Sequence, residues 1–578
     1  MAAFDPTGPF ALFDDARIGG TATLFAGLSE AVTATTAAMV QPALDRLRAP
    51  HDFAGFIGFE AGYALEPRLA AAARRPDDGL PLLWFGRFAE RRRFDLAELD
   101  VLAGSRHGRI DGLLPHIAEP DYVAGVEHVA TLIVAGDIYQ ANLTFAADVQ
   151  THGHPLALYR RLRAAQAAPY GALIHTGSAW IMSFSPELFF ELAGGILTTR
   201  PMKGTAARGT TRADDDAAAA ALAADPKNQS ENLMIVDLLR NDLSRVAVSG
   251  SVDVPHLFIV ERYPTLLQMT STITATARAD VGPVEVIEAI FPCGSITGAP
   301  KIRAMEVIAD IEAEPRGLYT GSIGWIGANG DACFNVAIRT LVQTRPGVAR
   351  IGLGAGIVAD SGPHAEWLEC LAKAAFLNRA AGPADLIETI RIEGGVALHL
   401  DRHLARLAET AAFLGITVDL ASVRAAVDDA ARGDCRLRLL VAASGAVAVA
   451  LAPLPATPPL AKVAVVPLPV DVGDWRLRHK TTDRSFYDEA RRASGVFEVL
   501  FTRPDGQLTE GSFTSLFVLR GDVLLTPPTT AGLLPGILRA ALIAEGRAVE
   551  APLTVADLTG GFFIGNALRG LLPAALRG

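Results

Sequence analysis

Apolar residues recur every three or four positions in some stretches of this chain and every second position in others, which predicts a mixed fold of helices and strands. From Asp121 a helical repeat runs through Val123, Val126, Val129 and Ile133 and stops at Gly136. The next stretch, GDIYQANLT at 136–144, alternates as a strand. From Gln229 the string SENLMIVDLLRNDLSRV predicts a helix with Leu233, Val236, Leu239 and Leu243 on one stripe and Glu231 outside it. Further helices are predicted over 29–47, 299–313 and 364–378, and strands over 321–327, 332–342 and 349–354. Residues 101–118 read as a connector, and 212–226 as an Ala-rich acidic helix or linker with a solvated surface. RAAGPAD, from Arg379, reads as a second linker, and LIETIRIEGGVALHLDRHLARLAETAAFLGI at 386–416 as a strand, a turn and a helix starting near Asp401.

Length and composition narrow the picture. A chain of 578 residues exceeds one core and predicts about three or four units. Half the residues are hydrophobic and a fifth charged, as in globular proteins. A net charge of -11 and a pI near 5.6 argue against nucleic acid or an anionic membrane as principal partner. Cys293, Cys333, Cys370 and Cys435 lack C-x-x-C spacing, which suits a reducing compartment and gives no zinc site. No basic n-region opens the chain, and no apolar run reaches the ~18 residues of a membrane helix, so a cytoplasmic protein is expected.

Several residues carry candidate chemistry. Lys203 lies in TRPMKGTAARG (199–209), read as a rigid turn built from Pro201, Gly204 and Thr205. A lone loop lysine is usually a solvated charge, but one with a lowered pKa is a nucleophile. SPELFF (185–190) and the strand-like ELAGGILTTR predict a hairpin that brings Glu187 near Lys203, as a salt bridge or as an acid and nucleophile pair. The loop IFPCGSITGAPKI (290–302), with Ser295, Thr297 and Gly298, leads into a helix and reads as an anion cradle. Arg339 sits in an apolar strand and needs a partner. Glu366, Glu369 and Lys373 share one helix face; the carboxylates are either solvated or complete a Mg2+ site with Glu231.

Taken in order, GDIYQANLT, SPELFF, RPMKGTAARG, ENLMIVDLLRNDLSRV, GSITGAPKIRAMEVI, AIRT and GAGIVADSGPHAEWLECLAKA resemble the chorismate-utilising enzymes over residues 1–380. The resemblance implies a two-sheet β-sandwich with surrounding helices, within an α+β chain. It implies that Lys203 attacks C2 of chorismate as the C4 hydroxyl leaves, that Glu187 protonates that hydroxyl, and that ammonia then adds at C4 and displaces the lysine. Gln140 stands where isochorismate-forming members have a lysine base, so water activation is not expected. Glu231, Glu369 and Glu366 match the Mg2+ ligands. Tyr319, Arg339, Lys373 and the backbone of Gly354, Ala355 and Gly356 match groups around the substrate's carboxylates. Gln268 replaces a histidine of many relatives and receives no proton-transfer role.

The segment from Asp385 to Gly578 resembles the fold-type IV pyridoxal-phosphate enzymes through HLARL, CRLRLLV, HKTTDRSFYDEA, GQLTEGSFTSLFVL, LLTPPTTAGLLPGILR and FFIGNALRG. The implied fold is two α/β subdomains. Lys480 would carry pyridoxal 5'-phosphate and Glu510 would pair with its ring nitrogen. Arg406, Gly536, Ile537, Asn566 and Ala567 would hold the phosphate, with Thr389 and Arg569 on the substrate side. Ser515 replaces an asparagine that often follows the E-G pair. Together the two resemblances imply domains at 1–380 and 385–578: amination of chorismate to 4-amino-4-deoxychorismate, then elimination of pyruvate to give 4-aminobenzoate for folate synthesis. The alternative is an anthranilate synthase component I fused to a class IV aminotransferase. Ammonia is expected from a separate glutamine amidotransferase or from free ammonium. The pyridoxal-phosphate domain suggests a homodimer.

Overall fold

The alternating stretches of the N-terminal two thirds join edge to edge: in this computed structural model eighteen strands form one hydrogen-bonded network. The structure describes the chain except residues 1–4, 18, 77, 104–107, 210–211, 264–265, 379–384, 415, 443–444, 471 and 578, so most of the expected linker after Asn378 lies outside the described residues. The chain divides into two compact units, one of residues 1–206 with 219–381 and one of 207–218 with 382–578. Among the described residues no helix is long and apolar enough to cross a membrane.

In the first unit strand Val348–Ile357 pairs antiparallel with Gln140–His152, setting Gly356 opposite Asn142 and Gly354 opposite Thr144. Helix Pro363–Lys373 packs on this pair beside helix Glu119–Val134, because its buried Trp367 stacks on Phe145 at 5.1 Å and lies 5.6 Å from Tyr122. Fully burying aromatic side chains of this size contributes about 1.5–3 kcal/mol each. Helix Pro226–Ser244 buries Ile235, Val236, Leu239 and Leu243 against strand Leu266–Thr276.

A buried guanidinium fastens these parts. Arg316 donates from Nε and Nη2 to Glu312 (2.9 and 2.8 Å), from Nη1 to the Ile296 carbonyl (2.9 Å) and from Nη2 to the Asn142 carbonyl (2.6 Å). Glu312 also accepts from the Thr144 N–H at 2.8 Å. A buried charge is tolerated when its donors are filled this way. The result is a fixed distance between the 294–298 loop and strand Gln140–His152.

The second unit has a four-stranded sheet covered by helices Leu400–Leu414 and Leu420–Ala430 over a core of Leu404, Leu407, Val423 and Leu437. An eight-stranded sheet of parallel and antiparallel pairs follows, with helices Ser485–Ser494 and Ile537–Ala544.

Five sequence expectations are corrected. The stretch 29–47 is not one helix: strand Ala22–Ala34 takes its first part, with Val32 and Ala34 buried at period two, and only Val40–Arg46 is α-helical. The connector 101–118 contains strand Arg109–Pro115. The strand over 332–342 breaks into Ala332–Val336 and Thr340–Arg345, so Arg339 lies between strands with φ of +50°. Leu233 is exposed rather than on the buried stripe. The 199–209 segment is strand Met202–Ala207, not a turn.

Candidate active sites

Strands Leu188–Ala193 and Ile196–Arg200 form the expected hairpin, Leu197 opposite Leu192, and Lys203 follows on the next strand. Gly204 has φ of +85°, and a Cβ there would lie 2.9 Å from Asn228 Oδ1, so only glycine fits. Gln268 clamps this point: its Nε2 donates to the Gly204 carbonyl at 2.8 Å and its Oε1 accepts from Thr205 Oγ1 at 3.1 Å. Both bonds set the direction of the lysine, a role sequence reasoning left unassigned.

Burial lowers the Lys203 pKa and Lys373 lowers it further, against Glu231, Glu369 and Glu187. Its ammonium reaches the floor of strand Val348–Ile357, where a Cβ on Gly356 would lie 2.5 Å from Lys203 Nζ and 3.2 Å from Gln140 Nε2. Cβ atoms on Gly352 and Gly354 would meet the Tyr319 ring and, at 2.6 Å, Thr144 Cγ2, so this face of the strand has no side chains of its own and its neighbours lie directly against the backbone. Gln140 is fully buried with neither amide atom hydrogen-bonded. Leaving such a group unpaired costs about 1–3 kcal/mol, a cost a ligand would relieve.

Glu187 is 3% exposed, and burial raises its pKa to about 7, opposed by a 2.6 Å hydrogen bond from Ser295 Oγ and by Lys203. An acid poised there can give up a proton at neutral pH. Ser295 therefore serves the acid. Thr297 donates its hydroxyl to the Cys293 and Gly294 carbonyls, and Gly298 pairs with Ala141, so both support the loop and the Gln140 strand. Ala355 turns its side chain into the hydrophobic core, leaving its backbone as the part that can line a site. Arg339 finds a partner in Gln166 Oε1 at 2.7 Å, and burial lowers its pKa. The buried Tyr319 hydroxyl has its pKa raised by desolvation. Lys373 donates to the Gly354 carbonyl and to Glu369, both at 2.8 Å.

Glu231, Glu366 and Glu369 all act on the charge of Lys203 or Lys227. Burial raises the Glu366 pKa, Ser361 opposes it and Glu369 adds to it. Glu369 is pushed up by burial but pulled net below its ordinary value by Lys373. Like charges pressing on each other suit a divalent cation. Among the described residues, however, no three His, Cys, Asp or Glu side chains stand close enough to share one, and Glu369 is paired with Lys373.

In the second unit the backbone of Lys480 is pinned to the start of strand Leu386–Glu393, its carbonyl accepting from Ile387 N–H at 3.1 Å. Burial brings the Lys480 pKa down to about 7, helped by Arg406 and Arg484. A lysine neutral near pH 7 can add to an aldehyde. Glu510 accepts from Tyr487 Oη (2.6 Å) and Leu534 N–H (3.0 Å), both on Oε1, which leaves Oε2 for a ring nitrogen.

Arg406 is already committed in part: Nε and Nη2 grip Glu388 (2.8 and 2.6 Å) and Nη1 donates to the Pro535 carbonyl (3.0 Å). One N–H on each terminal nitrogen remains. His403 Nδ1 lies 2.7 Å from Glu388, while its buried Nε2 has no partner. The Glu388 carboxyl, pushed up by burial, is brought down to about 2 by Arg406 and His403. Helix Ile537–Ala544 starts at Gly536 without a side-chain cap, and a Cβ on Gly536 would lie 2.6 Å from Ser515 Oγ. Spare guanidinium N–H groups, an orphaned imidazole nitrogen and an uncapped helix start together fit a phosphate, and Lys480 with Glu510 fits the rest of pyridoxal phosphate. Asn566 holds the neighbouring turn, accepting from Leu568 and Arg569 N–H and donating to the Phe513 carbonyl; Ala567 lies within that turn. Thr389 stands opposite Arg438 on the adjacent strand.

Sequence reasoning missed Glu388, His403 and Tyr487. A lone carboxylate in the apolar run LIETIRI, followed by His403 and Arg406 three apart on a helix, was the available signal for the first two.

Residues 2–379 match the chorismate binding enzyme family and residues 385–576 match amino-transferase class IV. Aminodeoxychorismate synthase component 1 of Bacillus subtilis is 41% identical over 262 residues, 45% of this chain and 56% of that protein. Anthranilate synthase component 1 of Methanothermobacter thermautotrophicus is 40% identical over 253 residues, 44% of this chain and 54% of that protein. The crystal structure of anthranilate synthase component I from Streptococcus pneumoniae superposes with a TM-score of 0.55 at 26% identity, over 62% of this chain and 92% of that one. The chain covers 56%, 36% and 34% of the first three curated relatives. By the match over residues 2–379 the chain belongs to the chorismate binding enzyme family, and it carries a class IV aminotransferase domain after it.

Proposed function

We propose that the chain makes 4-aminobenzoate from chorismate and ammonia in two steps, with functional boundaries at 1–380 and 385–578. In the first, Lys203, whose pKa burial lowers, forms a bond to C2 while the ring double bond shifts and the C4–O bond breaks. Glu187 delivers its proton to the departing oxygen, which leaves as water. Ammonia then adds at C4, the double bond shifts back and the lysine is expelled. Arg339, Lys373 and the backbone at Gly354 and Gly356 would hold the carboxylates, and Gln140 would meet a polar group of substrate or ammonia. Mg2+ would enter with a substrate carboxylate, and to join Glu231 and Glu366 around it Glu369 would have to leave Lys373.

In the second step, 4-amino-4-deoxychorismate loses pyruvate and aromatises. Pyridoxal phosphate supplies an electron sink when bound. Lys480 carries it and moves the C4 proton, and Glu510 holds its ring nitrogen protonated. The ammonia source would be a separate glutamine amidotransferase, the compartment the cytoplasm, and a homodimer would form through the second domain.

The observation that carries the reading is the pairing of a lysine with a lowered pKa and a carboxyl of pKa about 7 around Gly356 and the unpaired Gln140 amide. An anthranilate synthase is the alternative. Supplied with chorismate, ammonium, Mg2+ and pyridoxal phosphate, the chain should release pyruvate and 4-aminobenzoate in equal amounts. Anthranilate as the product would overturn the proposal.

A further inference from the structure

Arg484 follows Lys480 by four residues on a loop that backbone bonds hold in place. Ile387 N–H donates to the Lys480 carbonyl at 3.1 Å, Thr482 N–H to the Asp385 carbonyl at 2.9 Å and Arg484 N–H to the Thr482 carbonyl at 3.0 Å, after which helix Ser485–Ser494 begins. The Arg484 guanidinium lies 4.5 Å over the Tyr487 ring, whose hydroxyl donates to Glu510 Oε1 at 2.6 Å. Asp474 and Asp483 are taken by Arg476, at 2.6 and 3.3 Å, and among the described residues Arg484 has no carboxylate partner. Its Nη1 is buried without an acceptor. Its charge nonetheless reaches both ends of the site: burial pushes the Glu510 carboxyl up and Arg484 is the strongest group pulling it back, and after burial and Arg406 it is Arg484 that lowers Lys480. A buried donor with no acceptor is costly, so Nη1 calls for one.

The connectivity of pyridoxal phosphate indicates which acceptor that is. The carbon bearing the aldehyde, where a lysine adds, and the ring nitrogen lie para to one another, and two edges of the ring join them. One edge bears the phosphate arm, and the other bears the phenolic oxygen beside the aldehyde. Arg406, His403 and the helix start at Gly536 serve the phosphate edge. Arg484 is a further cation whose field falls on both Lys480 and Glu510, and the edge left for it is the phenolic one. An ionised phenolic oxygen suits a guanidinium, which stays charged at every working pH and forms its strongest bonds to anionic oxygen.

We propose that Arg484 Nη1 donates to the phenolic oxygen of pyridoxal phosphate and holds that oxygen ionised, on the ring edge away from Arg406. This rests on the cofactor reading of the second unit given above. Tyr487 then serves two groups at once, carrying the guanidinium on its face and Glu510 on its hydroxyl, so the partners of the phenolic oxygen and of the ring nitrogen are set by one side chain.

The test uses the full chain, stripped of cofactor and titrated with pyridoxal 5'-phosphate or with 3-deoxypyridoxal 5'-phosphate, which lacks only that oxygen, while tryptophan fluorescence is followed. Wild type should bind the first about tenfold or more tightly than the second, as a hydrogen bond between charged groups predicts. In Arg484→Gln this preference should shrink about fivefold or more through weaker binding of pyridoxal phosphate alone, the analogue staying within about twofold of its wild-type Kd. Arg484→Lys should recover part of the preference. An arginine needed only for folding, or acting only on Glu510, would weaken both compounds alike. If Arg484→Gln keeps the full wild-type preference, or loses both compounds equally, the contact is overturned and the cofactor reading stands. If wild type takes up no pyridoxal phosphate, the cofactor reading falls and the contact with it. Should Arg484→Gln misfold, wild-type Kd values for the two compounds within about twofold of each other would overturn the contact.

Discussion

Removing the Ser295 hydroxyl should move the working pH of the first unit upward. Ser295 Oγ lies 2.6 Å from Glu187 Oε1 and favours the ionised carboxylate, whose pKa burial has raised to about 7. A hydrogen bond to a charged group contributes about 1.5–3 kcal/mol, and about 1.4 kcal/mol corresponds to one pH unit. Ser295→Ala should therefore raise the Glu187 pKa by about one to two units. Since the proton donor is the neutral acid, the alkaline limb of kcat/KM for ammonia-dependent chorismate consumption should shift up by the same amount, and Ser295→Thr should leave it in place. Stability should follow with a defined sign. A carboxyl whose folded pKa stands above its unfolded value of 4.5 contributes stability present in full below 4.5 and lost as pH rises through about 7. The loss is about 3 kcal/mol in wild type and continues to higher pH in the variant. Thermal unfolding should separate the two proteins above pH 7 and not below. An alkaline limb that stays put in Ser295→Ala would refute Glu187 as the acid.

Gly356→Ala places a methyl 2.5 Å from Lys203 Nζ and should cut amination about a hundredfold or more while circular dichroism and lyase turnover stay unchanged. Lys203→Ala should abolish chorismate consumption but spare lyase turnover, whereas Lys480→Ala should let 4-amino-4-deoxychorismate accumulate, as chromatography would show. Chelation should stop chorismate consumption, Mg2+ should restore it, and turnover of supplied 4-amino-4-deoxychorismate should survive. With its pKa brought down to about 7, Lys480 in cofactor-free protein should be labelled by reductive alkylation at pH 7.5 before the exposed lysines, and mass spectrometry would locate the label.

Periodicity was a good guide where a helix lies on a sheet, as in Pro226–Ser244 and Pro363–Lys373, because one face meets apolar strands and the other water. It failed at Ala22–Ala34, where alanines and threonines suit both periods and pairing with strand Leu83–Phe94 decides. The lysine segment read as a turn because proline and glycine punctuate it; they mark its entry and a positive-φ position inside a strand. Glu187 beside Lys203 was legible through the hairpin. Gln268 was not, since a side chain that matters through two hydrogen bonds to a distant strand leaves no local pattern. Glu388 and His403 escaped for the same reason: their bonds cross from strand to helix.

Gly352, Gly354 and Gly356 give this face of strand Val348–Ile357 no side chains of its own, so Tyr319, Thr144 and Lys203 Nζ lie directly against its backbone. A surface made of side chains can be trimmed as well as enlarged, so selection can adjust it in either direction. Here nothing remains to trim. Mutation along this strand can only narrow the space, and any widening for a bulkier ring must come from opposite it, at Tyr319, Thr144 or Gln140. The specificity of this face can therefore drift in one direction only, towards smaller substrates.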